Sequence, residues 1–239
     1  MSKAFIVTGA SRGLGLAIVQ SLLRASHKVF AVARSEADLK TLKEQNPSSV
    51  DFLAADLADL TVAPKIIQAS LKAFGKIDGL VINHGAISPL TKISESSAED
   101  WRRAYDINVF SAVALVKEAI PELRKTNGRV VLVSSGAAFG AYAGWGAYGT
   151  SKAAINHLCA HLAVEEPAIT SVAISPGKVD TDMQKQIREE GKTGMASDVH
   201  ASFVDEHEKG LLLKPEQPGT VIAKLVDGAN KEFSGKHFR

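Results

Sequence analysis

The chain has 239 residues, with 28 basic against 26 acidic side chains and a single cysteine. This near balance of charge excludes the strongly basic surface of a nucleic-acid-binding protein and the basic segment of a membrane-surface protein. The lone Cys159 excludes an internal disulfide bond, and no apolar run reaches the roughly 18 residues of a membrane span. A strand pattern begins within a few residues of the N-terminus, so we expect no signal peptide, one domain over residues 1–239 and a cytoplasmic protein.

Apolar strand patterns alternate with helical patterns along the chain. The predicted strands are 3–8, 28–33, 50–54, 78–82, 129–134, 169–174 and 235–238, and the predicted helices are 13–25, 36–45, 60–74, 98–126, 147–165 and 217–229. This alternation predicts an α/β fold of three layers, in which helices cover a doubly wound, mostly parallel, seven-stranded sheet. Residues 180–217 are polar and weakly periodic, and we expect them to form a flap over one edge of that sheet.

The first predicted strand leads directly into the glycine-rich loop Gly9-Ala-Ser-Arg-Gly13-Leu-Gly15, and a helix follows. Glycines permit a tight turn, and the N-terminus of a helix offers free N–H groups and a positive dipole end to a phosphate. The alternative is a plain turn between a strand and a helix. In this setting the pattern favours the phosphate-binding turn of a dinucleotide-binding Rossmann fold.

Tyr148 and Lys152 are four residues apart in a predicted helix, thirteen residues after Ser135. Residues at this spacing share a helix face. A nearby cation lowers the pKa of a tyrosine from about 10 by roughly 1 to 3 units, which makes the phenol a usable acid and base. The pair also occurs by chance on amphipathic helices, so its interpretation depends on the rest of the chain.

Taken together, these motifs resemble the short-chain dehydrogenase/reductase family over essentially the whole chain. The matching segments, in the family's order and spacing, are Thr8-Gly9-x-x-x-Gly13-x-Gly15, Asp56-Leu57, Asn83-His84-Gly85, Asn108, Ser135, Tyr148-x-x-x-Lys152 and Pro176-Gly177-x-Val179-x-Thr181. The resemblance implies an oxidoreductase that moves a hydride between a nicotinamide cofactor and a carbonyl group. One departure is His84, because the family usually has a small residue there.

The resemblance implies four catalytic residues: Asn108, Ser135, Tyr148 and Lys152. Tyr148 would donate a proton to the developing alkoxide, and Ser135 would hydrogen-bond the same oxygen. Lys152 would lower the pKa of Tyr148 and bind the nicotinamide ribose. Asn108 would hold a water that leads protons to the lysine; its alternative is a cap or bridge within its own helix. Ser134 is a rival of Ser135, and the spacing to Tyr148 selects Ser135.

The end of the second predicted strand bears on the choice of cofactor. An acidic residue there would bond the adenosine ribose of NAD and repel a 2′-phosphate, but this chain has Ala33 and Arg34. Arg34 and Arg12 could clamp a phosphate, so we predict NADP(H); the alternative is that both are solvated surface residues. The further cofactor contacts that the resemblance implies are Gly9, Ser11, Gly13, Leu14 and Gly15 at the phosphates, Asp56 and Leu57 at the adenine, Asn83 and Gly85 at the ribose, Tyr148 and Lys152, and the motif of Pro176, Gly177, Val179 and Thr181, of which Val179 and Thr181 hold the carboxamide.

Phe139, Tyr142 and Trp145 lie between Ser135 and Tyr148, and their rings would suit a flat or apolar ketone. The alternative is that they only stiffen the loop. Four segments are similar to the fungal benzil reductase and sepiapterin reductase branch: Ser134-Ser-Gly-Ala-Ala, Tyr142-x-Gly-Trp145-x-Ala-Tyr148, Glu165-Glu-Pro and Asp180-Thr-Asp-Met-Gln184. That branch implies that Asp180 contacts substrate; its alternative is a cap on the following helix.

We therefore predict an NADPH-dependent reductase of aromatic or vicinal dicarbonyl compounds. A 3-oxoacyl or hydroxysteroid reductase and a non-enzymatic NADP-binding sensor are the alternatives. His157, His161 and Glu165 share a helix face, but no further ligand accompanies them, so we predict no metal. The expected partner is a small carbonyl substrate, with neither nucleic acid nor membrane. The resemblance further implies a homodimer or homotetramer built through the helices at 98–126 and 147–165.

Overall fold

Seven strands form one sheet in the computed structural model, which describes residues 1–239. The strands, numbered β1 to β7 along the chain, are Ala4–Thr8, Lys28–Ala33, Val50–Ala54, Gly79–Ile82, Arg129–Val133, Thr170–Ile174 and Lys236–Phe238. Their order across the sheet is β3-β2-β1-β4-β5-β6-β7, and every neighbouring pair is parallel. The predicted α/β Rossmann fold is confirmed, with a sheet that is parallel throughout rather than mostly parallel.

Helices cover both faces of this sheet. Numbered α1 to α9 along the chain, they are Gly13–Arg24, Glu36–Gln45, Ala63–Phe74, Ala98–Tyr105, Ser111–Thr126, Gly146–Glu165, Asp182–Glu190, Ser197–Glu208 and Glu216–Gly228. Apolar side chains of α1, α2 and α9 pack on one face, and those of α3, α5 and α6 pack on the other. The central strands are therefore buried on both sides, which explains why β1 and β5 read as continuous apolar runs.

The segment predicted as one helix over 98–126 is in fact divided. α4 ends at Tyr105, a π-helical turn covers Asp106–Phe110, and α5 starts at Ser111. Two polar side chains accompany the extra residue of this turn. Asn108 bonds to the backbone of Ala86, and the hydroxyl of Ser111 donates to the carbonyl of Ile107. The Asn108 bonds reach another segment of the chain, 22 residues away, so apolar periodicity could not locate the division.

The strand order reverses between β1 and β4, and the carboxyl ends of these strands border a crevice. Residues 180–217, the flap, contain α7 and α8 and cover that edge. The two ends of the flap are held together by backbone bonds of 2.9 Å, from Asp180 to Leu213 and from Leu213 to Lys178. No helix of the structure is long and apolar enough to cross a membrane.

Candidate active site

A cavity of about 1770 Å³ opens at the carboxyl ends of the strands and extends beneath the flap. It exceeds the roughly 300–1,000 Å³ of a typical small-molecule site, so it has room for a dinucleotide beside a second molecule. It is lined by most of the predicted site residues: Gly9, Ser11, Arg12, Gly13, Leu14, Gly15, Arg34, Asp56, Leu57, Asn83, Gly85, Ser135, Tyr142, Trp145, Tyr148, Lys152, Pro176, Gly177, Val179, Asp180 and Thr181. Asn108 and Phe139 do not line it.

Phe139 lies on the outer side of the aromatic loop. The hydroxyl of Ser135 accepts the N–H of Ala137 at 3.2 Å and caps a short helical turn, of which residues 136 and 137 line the cavity while Phe139, just after the turn, does not. The Phe139 ring is 57% exposed and stacks on His237, with a ring-centroid distance of 4.7 Å. With Tyr142 and Trp145 it lines a smaller cavity of about 210 Å³ beside the main one, so its predicted contact with substrate remains a prediction.

The glycine-rich loop forms a close-packed turn at one end of the cavity. A Cβ atom on Gly15 would lie 1.9 Å from the carbonyl oxygen of Gly9, and one on Gly9 would lie 2.9 Å from the Asn83 amide nitrogen. No side chain caps the N-terminus of α1, and its first turn has no acidic residue. The backbone N–H groups of that turn are therefore available to an anion, and this arrangement fits the pyrophosphate of a dinucleotide.

Tyr148 and Lys152 lie on the buried side of α6, at the centre of the cavity. Their exposed fractions are 6% and 4%, and Lys152 Nζ lies 5.7 Å from the centroid of the Tyr148 ring. Lys152 Nζ donates a hydrogen bond of 2.9 Å to the carbonyl of Val133, at the end of β5. The strand end thus fixes the ammonium next to the phenol, as i, i+4 spacing on one helix face requires.

Burial dominates the electrostatics of this pair. It raises the pKa of Tyr148 to about 12, while the Ser135 hydroxyl acts in the opposite direction. It lowers the pKa of Lys152 to about 8, because a buried ammonium loses its hydration. Lys152 is not among the groups that shift the pKa of Tyr148 here, so its predicted lowering of that pKa remains a prediction.

Asn108 is 2% exposed and connects three segments of the chain. Its Oδ1 accepts the Ala86 N–H at 2.8 Å, and its Nδ2 donates to the Ala86 carbonyl at 2.9 Å and to the Ser151 hydroxyl at 3.1 Å. These bonds reach the loop after β4 and helix α6, so Asn108 does not cap or bridge within its own helix. Through Ser151 it anchors the helix that carries Lys152. Its predicted role in holding a water remains a prediction.

Comparison with known proteins decides the family. The family model described as short chain dehydrogenase matches residues 3–192. The chain belongs to the short-chain dehydrogenase family. Among its relatives, an uncharacterized oxidoreductase of Saccharomyces cerevisiae is 44% identical, over 98% of this chain and 95% of the relative. A benzil reductase ((S)-benzoin forming) of the same yeast is 38% identical, over 100% of this chain and 96% of the relative. The crystal structure of the enzyme KRED1-Pglu superposes with a TM-score of 0.96 at 41% identity, over 99% of this chain and 100% of that one.

As a short-chain dehydrogenase, the protein is an oxidoreductase that acts on CH–OH or C=O groups with NAD or NADP.

The glycine-rich turn offers a steric test of the cofactor site. Substitution of Gly15 by alanine should weaken binding of the reduced nicotinamide cofactor on the order of a hundredfold or more, because the clash with Gly9 opens the turn and about 3 kcal/mol of phosphate contacts is lost. Titration of nicotinamide fluorescence measures this. Gly228→Ala, where a Cβ meets nothing within 4 Å, is the matched control. Equal affinity of the two variants would contradict the assignment of the turn.

Lys152 gives this dehydrogenase a predicted pH dependence. The predicted role of Tyr148 as proton donor requires its protonated form, and that phenol keeps its proton up to a pKa of about 12. Lys152 carries its charge below its pKa of about 8 and loses the charge above it. We therefore expect kcat/KM for reduction to be level below about pH 8 and to fall at higher pH. Lys152→Arg, which stays charged, should remove this alkaline decline. A decline that survives unchanged in that variant would show that another group titrates.

One half-buried side chain that lines the cavity of this short-chain dehydrogenase was noted in the sequence only as a departure from the family. The His84 ring bridges the hydroxyls of Thr8 and Ser111, with Nδ1 2.8 Å from the first and Nε2 2.7 Å from the second. Burial, with a smaller effect from Lys152, lowers the pKa of His84 to about 3, so the ring is neutral. The unusual residue type at position 84 was the only sign of this contact in the sequence. The two hydroxyl groups that the ring bridges could be identified only in the folded chain.

The flap supplies the remaining wall of the cavity. Phe203 of α8 packs on Trp145, with a centroid distance of 5.6 Å, and Trp145 packs edge-on against Tyr148 at 5.9 Å. Ile187 and Met195 complete this apolar cluster. Asp180 is exposed at the cavity, while the residue that precedes α7 is Thr181, so the alternative of Asp180 as a helix cap is not what the structure has. Because the flap has only weak apolar periodicity, the sequence did not predict that Ile187, Met195 and Phe203 line this wall.

Proposed function

We propose that this protein is an NADPH-dependent carbonyl reductase of aromatic or vicinal dicarbonyl compounds, such as benzil-like or sepiapterin-like substrates. One observation carries the proposal: Ser135, Tyr148 and Lys152 converge at the centre of a cavity that has a phosphate-binding turn at one end and an aromatic wall at the other. A binding module would not need a buried phenol beside a buried ammonium, whereas proton transfer to a carbonyl oxygen does.

The residues of the chain divide the chemistry among them. When bound, the reduced nicotinamide supplies the hydride that the carbonyl carbon receives. Tyr148 donates its proton to the oxygen on which negative charge develops, and the Ser135 hydroxyl hydrogen-bonds the same oxygen and orients it. Lys152, held by Val133, provides a positive charge beside the phenol while the proton leaves. Trp145 and Phe203 exclude water from this side of the reacting group.

Two arginines support the choice of NADPH over NADH. Arg34 directly follows β2, is exposed and lines the cavity. The strand end thus carries an arginine and not the acidic residue that would bond the adenosine ribose of NAD. Arg12 lies in the glycine turn, and its Nε is 3.0 Å from Asp182 Oδ2 at the start of α7. That ion pair is well exposed, and exposed pairs contribute less than about 1 kcal/mol. Arg12 can therefore exchange Asp182 for a phosphate at low cost.

The aromatic wall supports the proposed substrate class. Trp145, Tyr142 and Phe203 line the cavity that also holds Ser135 and Tyr148. Trp145 and Phe203 are packed into the wall and Tyr142 is the more exposed ring, and an apolar aromatic lining of this kind suits a ketone that carries an aryl group. The relatives named as benzil reductases favour the same class. Asp180 at the cavity edge could accept a hydrogen bond from a polar ring such as a pterin.

Substrate selection can be tested with a small panel of carbonyl compounds. Initial rates of NADPH consumption would be measured with benzil, another vicinal dione, sepiapterin, an acetoacetyl thioester and a simple aliphatic ketone. We expect kcat/KM to be highest for the aromatic diones, because only they fill the wall of Trp145 and Phe203. Activity confined to the aliphatic ketone or to the thioester would sink the proposed substrate class.

We also propose that the chain forms one cytoplasmic domain that self-associates. Three exposed apolar residues support self-association. Phe110, just before α5, is 46% exposed, Val113 on α5 is 42% exposed, and Val164 on α6 is 81% exposed. Side chains of this kind are commonly covered by a partner. A second copy of the chain is the occupant that we propose for this surface.

A further inference from the structure

His84 ties the first strand to the start of α5. Its Nδ1 contacts the Thr8 hydroxyl on β1, and its Nε2 contacts the Ser111 hydroxyl, which follows the π-helical turn at 106–110. Both hydroxyls also reach a backbone carbonyl: Thr8 Oγ1 donates to Val81 at 3.1 Å, and Ser111 Oγ donates to Ile107 at 2.6 Å. The ring thus lies in a continuous line of hydrogen bonds that runs from β4 to the π-helical turn.

Counting protons assigns a role to each ring nitrogen. The Thr8 hydroxyl oxygen already accepts the backbone N–H groups of Asn83 and His84, at 3.0 and 3.3 Å, and these use both of its lone pairs. Nδ1, 2.8 Å away, is therefore an acceptor that shares the Thr8 proton with the Val81 carbonyl. The neutral ring then carries its one proton on Nε2, which donates to the Ser111 hydroxyl, while Ser111 donates its own proton to Ile107.

The π-helical turn in turn supports the proposed catalytic lysine. Asn108, in the middle of that turn, grips Ala86 through both its oxygen and its nitrogen. A Cβ atom on Gly85 would lie 3.3 Å from both Asn108 Oδ1 and Lys152 Nζ, so the lysine and the asparagine meet on the same side of Gly85. A shift of the turn would move the backbone of residues 85 and 86 against the Lys152 ammonium.

We propose that His84 is a positioning residue, which holds the π-helical turn through Ser111 and thereby sets the distance between Lys152 and Tyr148. The inference rests on the proposed function, since it concerns the same reacting centre. Alanine, the kind of small residue that is usual at this position, would leave Thr8 and Ser111 their carbonyl partners. It would remove only the link between β1 and the turn, so the fold should survive the change.

A set of variants separates this role from simple packing. His84→Ala removes both contacts. His84→Asn keeps a polar group where Nδ1 meets Thr8, and His84→Gln places one where Nε2 meets Ser111. His161→Ala, on the exposed side of α6, is the matched control. Thermal unfolding verifies that each variant is folded, and NADPH titration verifies that each binds cofactor.

Two readouts test the link. Hydrogen–deuterium exchange of the cofactor-free protein, over residues 106–111, should accelerate about threefold or more in His84→Ala and His84→Asn but not in His84→Gln. For the turnover of benzil, kcat should fall about 10- to 100-fold in the first two and recover in His84→Gln. The alkaline decline should move upward by about half a pH unit or more in His84→Ala, because water beside Lys152 relieves the burial that lowers its pKa.

The outcomes distinguish this inference from the proposed function. If the unmodified protein reduces none of the carbonyl compounds, the proposed function fails, while the exchange data still test the link between His84 and the turn. If the unmodified protein is active and His84→Asn matches His84→Gln in exchange, kcat and pH profile, the positioning role is overturned. Unchanged exchange and kcat in a folded His84→Ala would overturn it as well.

Discussion

Substitution of Tyr148 by phenylalanine should lower kcat for carbonyl reduction by about 10²- to 10⁴-fold, the usual contribution of a positioned general acid. The change removes one hydroxyl group and keeps the ring that packs against Trp145. The phenol is the group that can deliver a proton here, because its pKa of about 12 keeps it protonated at neutral pH. The affinity for NADPH should stay within about threefold of the unmodified protein, since the phosphate-binding turn is untouched. Single-turnover kinetics with benzil measures the chemical step.

The matched control is Tyr105→Phe, which removes the same group from a tyrosine outside the cavity. It should leave kcat unchanged. A Tyr148→Phe protein that is folded, binds NADPH and retains more than a tenth of the original kcat would show that the proton comes from elsewhere. Ser135→Ala would then be the next variant to examine, because Ser135 is the other hydroxyl that we place at the reacting oxygen.

Substitution of Arg34 by aspartate should weaken NADPH binding by about a hundredfold, because a charge-assisted bond is lost and a repulsion of the 2′-phosphate is gained, together about 3 kcal/mol. NADH lacks that phosphate, and an acidic side chain at a strand end can bond its adenosine ribose. Its affinity should therefore stay the same or rise. The ratio of the two dissociation constants, measured by fluorescence titration at one ionic strength, reports the specificity directly.

Arg24→Asp makes the same change of charge on an exposed arginine at the end of α1, away from the cavity. It controls for the general loss of positive charge and should leave the ratio as it is. If Arg34→Asp and Arg24→Asp shift the ratio equally, Arg34 does not select the cofactor. An unmodified protein that binds NADH more tightly than NADPH would contradict the choice of cofactor altogether.

The sequence predicted the elements of this fold closely because most of their signals are local. Glycine spacing, strand length and apolar periodicity are all properties of short windows, so β2, β3 and α2 were predicted with the bounds that the structure has. The π-helical turn at 106–110 was not predicted, because it depends on the hydrogen bonds of Asn108 and Ser111 to other segments of the fold. An interruption of this kind leaves no mark in periodicity when its residues, such as Val109, remain apolar.

For the site as well, local motifs were predictable from the sequence, whereas features that depend on tertiary contacts were not. Motif spacing brought Ser135, Tyr148 and Lys152 to one cavity, but it could not give the burial that sets their pKa values. The exposure of the aromatic rings was equally hidden: Phe139 and Trp145 are both aromatic, yet Phe139 is 57% exposed and Trp145 only 6%. The partners of His84 come from segments that are 76 and 27 residues away in the sequence, so only the folded chain could show them.

The most direct test of the account follows the hydride itself. NADPH that carries deuterium at both C4 positions of the nicotinamide would be incubated with benzil and the purified protein, and the product would be examined by mass spectrometry. We expect benzoin that is heavier by a single deuterium on its carbinol carbon, and about 100-fold less of it or lower with Tyr148→Phe over the same time. Benzoin without deuterium, or labelled benzoin formed as fast by Tyr148→Phe, would contradict hydride transfer at the site of Ser135, Tyr148 and Lys152.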